Sequence, residues 1–198
     1  SPKCHTFIAF PVPFGYHDRR RPVGELACSM LGGYMSSRLW TVIRERNAWA
    51  YSVSADLECL QETAVVVVHM GLKTRGEDGA EDVQITRRAL LTTLHELETF
   101  RPTEKDLEVA KGHMLGHLAI NSERSSWLAQ FHSTQLLYGD AVTSVESEQA
   151  ALRRVTLAQT QRFLREMLAP ERCTLTLIAK RSHPPQALRE LQTPELAC

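Results

Sequence analysis

The chain has 198 residues, 43% of them apolar, and 23 Lys+Arg stand against 23 Asp+Glu for a formal net charge of zero. That length makes one domain, or a cramped two, and the balance excludes disorder as the dominant state, which needs low hydrophobicity and high net charge. The longest apolar run, Ala64–Val68, is far short of the roughly 20 residues that cross a bilayer, and Arg19-Arg20-Arg21 lacks the interleaved aromatics of a nucleic-acid footprint, so neither membrane insertion nor nucleic-acid binding is expected.

Residues 4–12 read as a first strand, with His5, Phe7 and Ala9 on one face and Thr6, Ile8 and Phe10 on the other. Leu26, Ala27 and Met30 then fall at helical spacing from Pro22 to Leu31, and Gly32-Gly33 stop that helix. Ser36 or Ser37 is placed to cap a second short helix with Leu39, Trp40 and Ile43 inside. Tyr51, Val53, Ala55, Leu57 and Cys59 alternate with polar residues, which predicts a half-buried strand. Thr63–Met70, apolar through its middle, predicts a central strand.

Helices dominate the rest. Val83, Leu90, Leu94 and Leu97 mark an amphipathic helix over 80–99, with His95-Glu96 on its solvated side. Thr103 caps the next, with Asp106 three residues on and a buried stripe of Leu107, Ala110, Met114 and Leu118. A helix over 122–138 is expected to bury Trp127, Phe131 and Leu137, and Thr156 with Gln159 forms a second capping box. Gly24, Gly112 and Gly116, inside helices, are expected to serve close packing. Cys173–Ile178 is a closing strand. Paired strands and runs of helices give an α+β fold: an antiparallel or mixed sheet with helices on one face.

Cys4, Cys28, Cys59, Cys173 and Cys198 are odd in number, scattered and without C-x-x-C, which argues against a disulfide scaffold or a thiolate zinc site and for a reducing intracellular compartment. Ser1-Pro2-Lys3 opens without a charged n-region and apolar h-region, so no signal peptide is expected there. Cys59 reads as a small apolar side chain rather than a nucleophile. His113-x-x-x-His117 is a metal-compatible spacing on a helix, but Gly116 stands where a general-base Glu would be needed, so the pair is a weak metal candidate.

One block stands out: Leu31-Gly32-Gly33-Tyr34-Met35-Ser36-Ser37-Arg38-Leu39-Trp40, then Ile43-Arg44-Glu45, then Ala50-Tyr51-Ser52-Val53-Ser54-Ala55. It resembles the L-G-G-G-M-S-S-R-L-F and A-Y-S-V-S-A elements of the insulinase/pitrilysin zinc peptidases, a family that includes the mitochondrial processing peptidase. Pro102-Thr103 with Leu107 and Ala110-Lys111, Asn121-Ser122-Glu123-Arg124, and Val155-Thr156 are similar to further elements of it. The resemblance implies the C-terminal-type, non-zinc domain over 1–180, with 181–198 a peripheral tail. It further implies a processing-peptidase-like fold, in which two such domains clasp a substrate chamber.

In active members the zinc is held by H-x-x-E-H in the other domain, so no cofactor is expected in this chain and zinc is expected in a homologous partner domain or subunit. The present domain would lend an Arg and a Tyr seven residues apart, and Arg44 and Tyr51 have that spacing. A guanidinium and a phenol can stabilise the negative charge that peptide hydrolysis develops on the carbonyl oxygen. Gly32, Gly33, Ser36 and Ser37 would face an extended peptide substrate, which is expected to add a strand to an open sheet edge. Read from periodicity alone, Tyr51 shares a face with Val53 and is core, and Arg44 is a solvated helix residue.

The resemblance implies a heterodimeric peptidase half acting in the mitochondrial matrix or bacterial cytoplasm. The alternative is a catalytically inactive assembly subunit, like the core proteins of the respiratory cytochrome complex. A self-sufficient hydrolase built on His113 and His117 is a third, without an identifiable base. Two departures matter. Tyr34 replaces a third Gly, and Ala48 stands where the family has Gly, which costs roughly 1 kcal/mol if φ is positive there.

Overall fold

The computed structural model describes residues 3–73, 83–139 and 142–179; the tail over 181–198 lies outside the described residues. Strands β1 (Lys3–Val12), β2 (Ala50–Cys59), β3 (Ala64–Lys73) and β4 (Thr174–Ile178) form one sheet in the order β2-β3-β1-β4, antiparallel throughout. β3 is central, as its apolar middle predicts.

One face of the sheet is the core. Cys4, Ile8 and Phe10 of β1, Val53 and Ala55 of β2, and Val66, Val68, Met70 and Leu72 of β3 are all buried on it. Leu90 and Leu97 of helix α2 (Val83–Thr99), with Phe163 and Leu164 of α6 (Leu157–Met167), join the same cluster. The even-numbered face of β1 is therefore the inner one, and His5, Phe7 and Ala9 lie on the outer face, half-buried.

A second, smaller core joins α1 (Arg21–Cys28), α3 (Glu104–Ser122) and α5 (Val145–Arg154) through Leu26, Met30, Leu107, Ala110, Leu152 and Val155. Both capping boxes form. Thr103 Oγ1 accepts from the Asp106 amide while Asp106 Oδ2 accepts from the Thr103 amide at 2.8 Å, and Thr156 with Gln159 repeats the pattern.

Several expectations fail for identifiable reasons. Helix α5 has no counterpart in the periodicity; Ser144 caps it and its charges suit the helix dipole, but its apolar stripe is thin, only Val145 and Leu152 being buried. The short helix after Ser37 is π-wound over Trp40–Arg46, as is Ser29–Gly33 after α1, and no serine side chain caps it. Ser37 is buried, its Oγ without a hydrogen-bond partner.

Helix α4 (Ser125–Tyr138) does not bury its large side chains: Trp127 and Phe131 are half-covered and stack on each other at 5.0 Å, while Leu137 is 74% exposed. Its one buried residue is Gln135, whose side chain pairs with the Thr143 backbone. Met114 and Leu118 are only half-buried, packed against the edge of the small core. Gly24 meets Leu57 and Phe163 as close packing requires, but a Cβ at Gly112 or Gly116 would meet nothing within 4 Å.

Candidate functional site

Arg44 and Tyr51 come together at the turn from the second π-wound segment into β2. That segment ends at Ala48, whose φ of 52° is the left-handed conformation anticipated where the family has Gly. The Ala48 amide donates to the Arg44 carbonyl and the Trp49 amide to the Ile43 carbonyl, both at 3.1 Å. Asn47 Nδ2 satisfies the Val42 carbonyl at 2.8 Å. The chain leaves this turn directly into β2.

The register of β2 on β3 slips at its first residues: Ala50 pairs with Leu72 and Ser52 with Gly71, so Tyr51 is the extra residue of a β-bulge. A bulge re-aims a side chain. Ala50 goes inward at 3% exposure and Tyr51 outward at 43%, which corrects the expectation from strict alternation that Tyr51 shares the core face of Val53. Arg44 donates from Nη1 to the Tyr51 carbonyl, its guanidinium over the Trp40 ring at 4.2 Å. Lys73 Nζ lies 5.9 Å from the Tyr51 ring centre. A phenol and two cations thus share one exposed corner of the sheet.

The other candidates are not part of that corner. Gly32 is buried where a Cβ would lie 2.4 Å from the Ala55 amide nitrogen, so only a glycine lets the first π-wound segment touch β2. Gly33 lines a cleft of about 380 Å³ with His113 and His117. Ser36 lines another of about 500 Å³ with Tyr34 and Arg38. Arg44 and Tyr51 line neither of these clefts.

Arg38, from the same sequence block, makes a two-pronged ion pair with Glu96 of α2, Nε to Oε2 at 2.6 Å and Nη2 to Oε1 at 3.2 Å. Glu96 is therefore buried and paired, not solvated, and the pair ties the loop carrying Ser36 and Ser37 to α2. The sequence offered a signal for it in an Arg fixed inside a recognisable block.

The donor set does not fit a zinc ion. His113 and His117 lie with ring centres 4.4 Å apart and planes tilted by 43°, and burial, then the His117 charge, hold the His113 imidazole below its ordinary pKa. Among the described residues no three His, Cys, Asp or Glu side chains converge as ligands. Burial pushes the Cys59 thiol up to about 11, leaving almost no thiolate at neutral pH. Among the described residues no helix is long and apolar enough to cross a membrane.

A one-faced antiparallel α+β sheet thus carries a cationic, phenol-bearing corner. The model of the Peptidase M16 inactive domain matches residues 1–114, and the chain belongs to that family. An uncharacterized zinc protease of Bacillus subtilis is 30% identical over 112 residues, 56% of this chain and 26% of that protein. One of Mycobacterium leprae is 28% identical over 168 residues, 84% of this chain and 36% of that protein. The chain thus spans about a third or less of the length of these relatives.

Among solved structures, the peptidase M16 inactive domain from Pseudomonas fluorescens superimposes with a TM-score of 0.73 at 16% identity, covering 91% of this chain and 43% of that one. A chain of complex III2 from Candida albicans gives 0.71 at 12% identity, covering 89% and 43%. At such identities the likeness is one of fold.

Proposed function

We propose that this chain is the non-zinc half of an insulinase-family metallopeptidase and completes the peptide-hydrolysis site of a zinc-bearing partner domain or subunit. The observation that carries the reading is the bulge at Tyr51, which takes a phenol out of the core at a residue whose backbone carbonyl accepts from Arg44. In that role the Tyr51 hydroxyl and the Arg44 guanidinium stabilise the oxyanion of the tetrahedral intermediate. The open sheet face beyond them is the wall along which an extended peptide lies. Gly32 and Ser37, both buried, hold the loop, and Gly33 and Ser36 stand exposed on it. The zinc and the base belong to the partner.

The test uses the assembled peptidase. Tyr51→Phe and Arg44→Ala each lower kcat by about 100-fold, the usual loss of one such donor, while zinc content and association with the partner stay unchanged. Unchanged kcat in both variants overturns the reading.

A second reading, an inactive assembly subunit, is favoured by Ala48, whose left-handed backbone is retained without the glycine that suits it. The likeness to a complex III2 chain supports it. It requires that the chain copurify with a large complex whose peptidase activity is nil.

A further inference from the structure

Arg44 is exposed, and a solvated arginine side chain samples many rotamers unless contacts hold it. Two contacts do so here. Arg44 Nη1 donates to the Tyr51 carbonyl, and Arg44 Cζ sits over the Trp40 ring, 4.2 Å from its centre. The first contact is a tether at one edge, a single hydrogen bond about which the guanidinium can still turn. The second restrains that turning, because a cation is drawn to the face of an indole, the strongest of the aromatic platforms. Lys73, the other cation of the corner, lies 5.9 Å from the Tyr51 ring centre, at the outer limit of such a contact, which makes it the weaker hold.

The Trp40 ring is itself fixed. Trp40 opens the π-wound segment that carries Arg44, is half-buried and packs against the main core. Leu39 and Ile43, on either side of it, are fully buried. The core therefore grips one side of the indole while its face carries the guanidinium.

Resting on the reading of Arg44 as an oxyanion donor, we infer that Trp40 is a positioning residue for it. The ring holds the guanidinium in the orientation in which one N–H meets the Tyr51 carbonyl and the others are directed at the substrate. A donor stabilises developing charge most when it is already in place, because no reorganisation is then needed as the charge forms. The effect of Trp40 accordingly falls on kcat rather than KM. Loss of the ring leaves the bulge, which the register of β2 on β3 sets, and with it the outward phenol. The loss is therefore smaller than that of removing Arg44.

The test is run on the peptidase assembled with its zinc-bearing partner. Trp40→Leu lowers kcat about tenfold with KM unchanged, the fold-change that one cation–π contact supports. Trp40→Phe, which keeps a ring, recovers most of that loss. In an Arg44→Ala background Trp40→Leu has no further effect on kcat, since the group it positions is gone. A ring that merely supported the fold would lower kcat equally in both backgrounds. Should Trp40→Leu fail to assemble, the same cycle is run with Trp40→Phe, whose smaller loss must likewise vanish in the Arg44→Ala background. No loss from Trp40→Leu, a change confined to KM, equal losses from the Leu and Phe variants, or a loss that persists without Arg44 each overturn the inference. If Trp40→Leu is silent while Arg44→Ala still lowers kcat, the positioning role fails and the oxyanion reading stands; if Arg44→Ala is silent too, both fail.

Discussion

Gly32 and Gly116 both sit in helical backbone, yet their surroundings differ completely. A Cβ at Gly32 would press into the backbone of β2, whereas one at Gly116 would meet open space. Around Gly32, the side chains of Leu31, Leu39 and Ile43 are fully buried; along the outer arm made by the end of α3 and by α4, Ile120 is 68% and Leu137 74% exposed. The first region is fixed by close approach of backbones, which tolerates no added volume. The second is held by a polar anchor, Gln135 with Thr143, and by contacts at its root. There Arg21 of α1 pairs with Glu25 at 2.7 Å and with Glu148 of α5, beneath the Tyr16 ring.

Substitutions can break or sharpen this contrast. Arg21→Ala strips the partner from two largely covered carboxylates and is expected to cost about 3 kcal/mol, read by urea unfolding. Gly32→Ala forces the π-wound segment off β2 and costs about 2 kcal/mol in the same assay. The same change at Gly112 or Gly116 has the opposite sign: each stabilises by about 0.8 kcal/mol, since the helix gains propensity and nothing is displaced. Ala48→Gly relieves a left-handed alanine and stabilises by up to about 1 kcal/mol, less whatever the freer unfolded chain gives back. Leu137→Ala changes stability by less than about 0.5 kcal/mol.

The smallest effect is one of pH. His69 and His113 are both held below the ordinary imidazole value by burial first, and by a neighbouring histidine second. The unfolded chain therefore binds protons from about pH 6.5 downward before the folded chain does, so these groups make stability fall on acidification through that window. Glu25, raised by burial, works in the opposite direction as its carboxyl takes up a proton. The difference in Tm between pH 7.5 and about pH 5.5 should shrink in His113→Phe relative to the unaltered protein, and an unchanged difference contradicts that sign.

Much of the fold is legible in the residues. The alternation of β2, the apolar middle of β3, and the two capping boxes act through neighbours a few residues apart, so local pattern suffices to place them. The seven-residue spacing of Arg44 and Tyr51 is equally visible. What periodicity misreads is burial. It assigns Trp127, Phe131 and Leu137 to a core that α4 does not reach, and it treats Glu96 as solvated although Arg38, 58 residues away, covers it.

The sequence by itself determined the family, the strands, most of the helices and the pairing of an arginine with a tyrosine across a turn, because each depends on residue identity and short-range spacing. The tertiary structure alone decided that the tyrosine leaves the core, since a bulge exists only in the register between two strands. It alone brought His5 to His69 across 64 residues, because pairing of β1 with β3 is a long-range choice that no local pattern encodes.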